Sequence, residues 1–147
     1  MNIKQISVFL ENKPGALYAM TGVLAQNKVD LRALSVAETK DFGIVRMIAD
    51  DVYKATTVLK EAGYIHSITP VLGVAIDDVP GGLNRVLQVL ADAKVNVEYM
   101  YAFVSPLSMD KAYVVLRVQN NDKAEKVLAD AGFKLIDEKG PDARFDY

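Results

Sequence analysis

The segment Glu11-Asn12-Lys13-Pro14-Gly15-Ala16-Leu17 returns as Asp77-Asp78-Val79-Pro80-Gly81-Gly82-Leu83, an offset of 66 positions in a chain of 147. A repeat of that length obliges the chain to fold as two copies of one plan, and units of this size are marginal alone. Each copy sets two acidic or amide residues, a variable residue, Pro-Gly, a small residue and Leu between a strand-like run and a helix-like run. Proline suits the first helical position, because its φ is already helical and its absent N–H is not missed there. Helices are therefore expected to start at Pro14 and Pro80, behind Lys13 and Val79, neither of which has a capping side chain. The N–H groups of Gly15, Ala16 and Leu17, and of Gly81, Gly82 and Leu83, are then expected to point outward at the positive end of the helix dipole. Such a place seats a carboxylate or phosphate, and glycine lets the ligand approach the main chain.

The two copies can be followed along the chain. Ile6–Leu10 and Leu72–Ile76 read as buried strands. Leu17, Met20, Thr21, Leu24 and Ala25 repeat as Leu83, Val86, Leu87, Leu90 and Ala91, an i, i+3, i+4, i+7, i+8 stripe, and the helices end near Asn27 and Ala93. Second strands open at Val29-Asp30-Leu31 and Val95-Asn96-Val97. The hairpin that follows is three residues longer in the second copy, at Ser105–Asp110, and the offset becomes 69. Ala55, Val58, Leu59 and Ala62 recur as Ala124, Val127, Leu128 and Ala131, with Gly63 and Gly132 ending the helices in the C′ position. Tyr64 and Phe133 begin the last strands, and only Thr69-Pro70-Val71 parts the copies.

Each half thus reads strand, helix, strand, strand, helix, strand. With right-handed crossovers this gives an α+β fold of two ferredoxin-like βαββαβ units in tandem, each an antiparallel four-stranded sheet with its helices on one face. The units are expected at residues 1–70 and 71–147. The apolar sheet faces predict contact between units or chains. Lys139–Tyr147 has no period and is expected to be an extended end.

Composition narrows the function. Half of the residues are hydrophobic and the formal net charge is −2, which leaves no electrostatic case for nucleic acid or an anionic membrane. With no cysteine and a single histidine, His66, the chain offers neither thiolate chemistry nor a histidine-built metal site. His66 alternates along Tyr64–Ile68 as a surface strand residue. No Gly-x-Ser-x-Gly or histidine pair supplies a nucleophile and base, so neither catalysis nor a cofactor is expected. Met1-Asn2-Ile3-Lys4 enters a strand pattern directly and no apolar run reaches membrane-spanning length, so the expected location is cytoplasmic. Free amides at a helix start for a carboxylate, a nearby amide or carboxylate oxygen for an ammonium, and Leu31, Val97 or Leu83 for a side chain together describe an amino acid.

With the Pro-Gly turn between first strand and first helix of a βαββαβ unit, twice over, the chain resembles the ACT-domain family of amino-acid-sensing regulatory modules. The resemblance is to its small tandem members and spans roughly the whole chain. The family's loop carries Asn or Asp, a spacer and Pro-Gly-x-Leu, matched by Asn12 to Leu17 and Asp78 to Leu83; its polar residue at the start of the second strand is matched by Asp30 and Asn96. The resemblance implies a free amino acid bound where two units meet, the loop of one facing the second strand of the other. Its contacts would be Asn12, Pro14, Gly15, Ala16, Leu17, Asp30 and Leu31 in one copy, and Asp78, Pro80, Gly81, Gly82, Leu83, Asn96 and Val97 in the other. It further implies a homodimer and, as the receiver of the signal, an enzyme of amino-acid metabolism. The copies are not equivalent, since Asp78 repels a carboxylate that Asn12 accepts. Two identical ligand sites are not expected.

Two other readings share the element order. An RNA-recognition motif would need its third-strand signature, but Lys40–Met47 puts Asp41 for a glycine and Ile44 and Met47 for stacking aromatics. A ligand-free dimerisation subunit of a biosynthetic enzyme would keep the fold for assembly alone. Tyr99, Tyr101 and Phe103 alternate on one strand and read as a packing face.

Overall fold

The computed structural model describes residues 2–104 and 110–137. The extended end at Lys139–Tyr147 and, but for Asp110, the long hairpin connection lie outside them. Eleven elements follow in order: β1 (Ile3–Glu11), α1 (Ala16–Gln26), β2 (Leu31–Glu38), β3 (Phe42–Ala49), α2 (Val52–Glu61), β4 (His66–Asp77), α3 (Gly82–Asp92), β5 (Val97–Ala102), β6 (Lys111–Val118), α4 (Asn121–Asp130) and β7 (Leu135–Ile136). They form two βαββαβ units in tandem. One compact unit is Lys4–Thr69; the other gathers the described residues from Pro70 onward together with Asn2 and Ile3.

In the first unit β3 lies antiparallel between β2 and β1, with Glu11 opposite Phe42 and Glu38 opposite Gly43. The start of β4 completes the sheet, where the Phe9 N–H donates to the Ile65 carbonyl at 3.0 Å. Ile6, Val8 and Leu10 alternate on β1, and Val45, Met47 and Ala49 on β3, so one face of the sheet is apolar. Met20 and Leu24 of α1 and Ala55 and Leu59 of α2 close over that face. In the second unit the order is β5-β6-β4-β7, and Leu72, Val74 and Ile76 meet Val86, Leu90, Ala124 and Leu128 in the same way.

Two sequence expectations, the separator between the copies and the width of the helix stripes, are corrected here. No separator parts the copies, because Thr69, Pro70 and Val71 lie inside the twelve-residue strand β4. Proline is tolerated there because it lacks only an N–H, while its carbonyl accepts from the Arg117 guanidinium and the Asn121 amide, each at 3.1 Å. Asn2 and Ile3 go with the second unit: Asn121 also donates to the Asn2 side chain at 3.0 Å, and a Cβ on Gly73 would fall 2.7 Å from the Ile3 side chain. Finally, the buried stripes of α1 and α3 are narrower than the periodicity predicts. They centre on Met20 and Leu24 and on Gly82, Val86 and Leu90, leaving Leu17 38% and Leu83 36% exposed and Ala25 and Ala91 exposed.

Helix ends follow one rule in both units. Gly63 and Gly132 take φ of 86° and 88° at C′, as the sequence predicts, and the N–H groups of Tyr64 and Phe133 reach back to the carbonyls of Leu59 and Leu128. At the ends of α1 and α3, Lys28 and Lys94 hold the same left-handed conformation at φ 57°.

The start of α3 shows why the second copy has glycine where the first has Ala16. A Cβ on Gly82 would stand 2.0 Å from the Asp77 carbonyl oxygen, a main-chain atom that cannot rotate away. Gly82→Ala is expected to force α3 outward and to lower stability by about 1–3 kcal/mol in urea denaturation, the usual cost of overpacking. A variant as stable as the parent would show that α3 is not held against the end of β4.

Candidate functional site

The repeated motif is a β-turn placed before the helix. Pro14 presets φ for the second position of a type II turn, and Gly15 takes the third with φ 82° and ψ −10°, a conformation that favours glycine. The Ala16 N–H closes it on the Lys13 carbonyl at 3.3 Å. In the second unit Gly81 has φ 85° and ψ −6°, and the Gly82 N–H donates to Val79 at 3.0 Å. The helices therefore begin at Ala16 and Gly82, with glycine as N-cap, and the expectation of helical prolines is corrected.

This changes which amides face a ligand. Those of Ala16 and Gly82 are spent on the turn, whereas Gly15, Leu17 and Tyr18 carry N–H groups in the first turn of α1, where no intrahelical acceptor exists. No side chain caps α1 or α3. By contrast, the Asp51 carboxylate accepts from Lys54 N–H at 2.9 Å and the Asn120 amide oxygen from Lys123 N–H at 3.0 Å, so α2 and α4 are closed in the ordinary way. The side-chain-uncapped starts are those of the repeated motif. Gly15 is required by its φ, since a Cβ there would meet nothing within 4 Å.

Around the first turn, β1 ends against the β2–β3 hairpin. The Asn12 N–H donates to the Asp41 carbonyl at 2.9 Å and its side-chain amide to the Thr39 carbonyl at 3.2 Å, so the hairpin holds Asn12 in place. Glu11 and Lys13 form an exposed ion pair at 3.0 Å. Two hollows flank the turn. One, of about 270 Å³, is walled by Leu10, Asn12, Leu17, Val36, Glu38 and Gly43; the other, of about 480 Å³, by Phe9, Pro14, Gly15, Ala19 and Tyr64 among others. The smaller offers an amide in Asn12, a carboxylate in Glu38 and apolar contact in Leu17 and Val36. Val36, Glu38 and Thr39 escaped the sequence reading, although the register that sets Glu38 against Gly43 and Phe42 against Glu11 brings them to the turn.

Other sequence candidates lie elsewhere in their units. Asp30 precedes β2 at the far end of the sheet, where its N–H donates to the Asp50 carboxylate at 3.0 Å and its own carboxylate pairs with Arg32 at 3.2 Å. The eight residues of β2 separate it from Asn12, roughly 25 Å of strand. Asn96 stands likewise at the far end of β5, its carbonyl accepting from Gln119 N–H at 3.1 Å. Leu31 and Val97 pack on their own unit's core. Within one unit the structure does not bring these four to the turn. His66 begins β4, half-buried.

The second turn carries different charges. The Asp78 N–H repeats the Asn12 bond, donating to Asp110 at 3.0 Å, but the neighbouring Asp77 binds Arg85 at 3.0 Å and also Lys111. The Lys111 hydrogen bond and charge, helped by Arg85, hold the Asp77 carboxyl below its ordinary 3.8, and Asp77 in turn raises the Lys111 ammonium above 10.5. Both stay charged around neutrality. Among the described residues no three His, Asp or Glu side chains gather as a metal site, and no helix is long and apolar enough to cross a membrane.

Solved structures share the fold. A protein from Bacteroides thetaiotaomicron superposes with a TM-score of 0.88 at 42% identity, covering 95% of this chain and 94% of that one. The ligand-free regulatory subunit of aspartate kinase from Thermus thermophilus has a TM-score of 0.64 at 17% identity, over 88% and 92%. The regulatory subunit of aspartate kinase from Thermus flavus has 0.59 at 15%, over 89% and 93%. No curated protein matches the chain. Residues 1–142 match the model of an ACT domain pair, a regulatory module, and the chain belongs to that family.

Proposed function

We propose that this ACT domain pair is a non-catalytic regulatory protein of the cytoplasm that binds a free amino acid at the first Pro-Gly turn and passes the signal to an enzyme of amino-acid metabolism. The observation that carries the reading is the side-chain-uncapped start of α1 beside Asn12, Glu38, Leu17 and Val36. The ligand carboxylate takes the Leu17 and Tyr18 amides at the positive end of the helix dipole. Its ammonium takes Glu38, and its side chain lies on Leu17 and Val36. The regulatory subunits of aspartate kinase, which share the fold, supply the precedent for an enzyme partner.

The ligand also calls for a homodimer. If Asp30 contacts the same molecule as Asn12, the length of β2 requires another unit to supply it, and a second copy of the chain does so. Light scattering is expected to give twice the 16.1 kDa of one chain; a strict monomer with amino acids present and absent would remove that part of the proposal.

Isothermal titration with the free amino acids tests the binding site. Asn12→Asp sets a negative charge beside the ligand carboxylate and is expected to weaken binding by about 1–3 kcal/mol, as for hydrogen bonds to charged groups. Asp78→Asn is expected to leave the first site unchanged. Gly15→Ala does not serve as a test, since φ 82° makes alanine strained and a loss would report folding. Binding abolished by Asp78→Asn and untouched by Asn12→Asp would place the working site at the second turn. No heat with any amino acid would favour a ligand-free assembly subunit.

A further inference from the structure

The second unit contains a cavity of about 490 Å³ whose walls include Asp77, Arg85, Lys111, Tyr113, Phe133 and Lys134. The internal repeat shows what is unusual about it. Offsets of 66 and then 69 map Arg85, Lys111 and Lys134 onto Ala19, Phe42 and Ile65 of the first unit. Three positions that carry uncharged, apolar side chains on one copy of the frame all carry cations on the other. Phe42 and Ile65 are 59% and 72% exposed, so the cations replace surface apolar groups and no core demand explains them.

Charge inside this cavity is unbalanced. Asp77 ties back Arg85 and Lys111, fixing their heads at the end of β4, while the Lys134 ammonium has no hydrogen bond or ion pair among the described residues. The Lys134 carbonyl accepts from Ala75 N–H at 2.9 Å, which anchors its backbone beside the cavity. Three cations and one carboxylate line the cavity, with the Asp110 carboxylate acting on Lys111 from beside it, and an anionic ligand would neutralise the remaining positive charge. Tyr113 and Phe133 add aromatic walls, and the volume suits a small metabolite.

We propose that this cavity is a second ligand site, for a small dianion bearing two carboxylates or one phosphate, held by Arg85, Lys111 and Lys134. Planar guanidinium against carboxylate or phosphate provides the directional contact, and the two ammonium groups provide charge. The site stands apart from the amino-acid turn of the first unit, and neither proposal depends on the other.

The test is isothermal titration of the full chain at low ionic strength with succinate and with inorganic phosphate, against a chloride control of matched ionic strength. Either dianion binding at one per chain supports the site, and the pair distinguishes a dicarboxylate from a phosphate ligand. Arg85→Gln and Lys134→Gln are each expected to weaken binding about tenfold, and Asn12→Asp to leave it unchanged. Added salt is expected to weaken it further, since the groups are solvent-accessible. Both substitutions are at the surface, and circular dichroism will show whether the fold is kept. Heats no larger than the chloride control, or parent-like binding by both folded variants, would overturn the proposal.

Discussion

Each unit depends on one residue in a left-handed conformation between its first strand and first helix. With Gly15 at φ 82° and Gly81 at φ 85°, the chain turns from the sheet end onto the face that the helix covers. Proline ahead of the glycine sets the turn type, and the amide after it closes the turn. The helix that follows has glycine where Asp51 and Asn120 serve their helices, so its first amides meet no side-chain acceptor. The same backbone geometry positions the helix over the core and leaves the start of that helix polar and open.

Duplication kept this frame and changed what it carries. Around the first turn stand Asn12, Leu17, Val36 and Glu38, with apolar Phe9, Ala19 and Tyr64 on the other flank. Near the second stands a charged set, Asp77 between Arg85 and Lys111, and α3 starts so close to β4 that only glycine fits at position 82. Turn geometry is a backbone property and tolerates such exchanges, since what it needs is Pro-Gly alone. Surface chemistry is then free to diverge, and two copies of one fold need not bind one ligand.

Much of the fold was legible because it rests on local periodicity read twice. Strand alternation, C′ glycines at Gly63 and Gly132 and the element order each appear in both copies, and agreement between copies removes accidents of composition. What misled was equally local. Pro14 is compatible with the first helical position and with the second position of a type II turn, and only the glycine after it, in its left-handed conformation, decides for the turn. Leu17 and Leu83 fit the helical stripe by spacing, yet the buried faces centre on Met20 and Leu24 and on Gly82, Val86 and Leu90, which leaves each leucine partly outward. Thr69-Pro70-Val71 looked like a break because proline interrupts most strands. The walls of the first hollow, Val36 and Glu38, come from register between distant strands, which no motif records. Asp30 entered through family likeness, and its distance from Asn12 became visible only once β2 was placed.

The central claim is that the open start of α1 receives a free amino acid. Amide NMR spectra of the ¹⁵N-labelled chain, recorded as each of the common amino acids is added, test it most directly. The account predicts saturable shifts for one amino acid or a few related ones at the N–H groups of Gly15, Leu17 and Tyr18 and at the Asn12 side-chain amide. Saturable shifts confined to the second unit, or none with any amino acid, would contradict it.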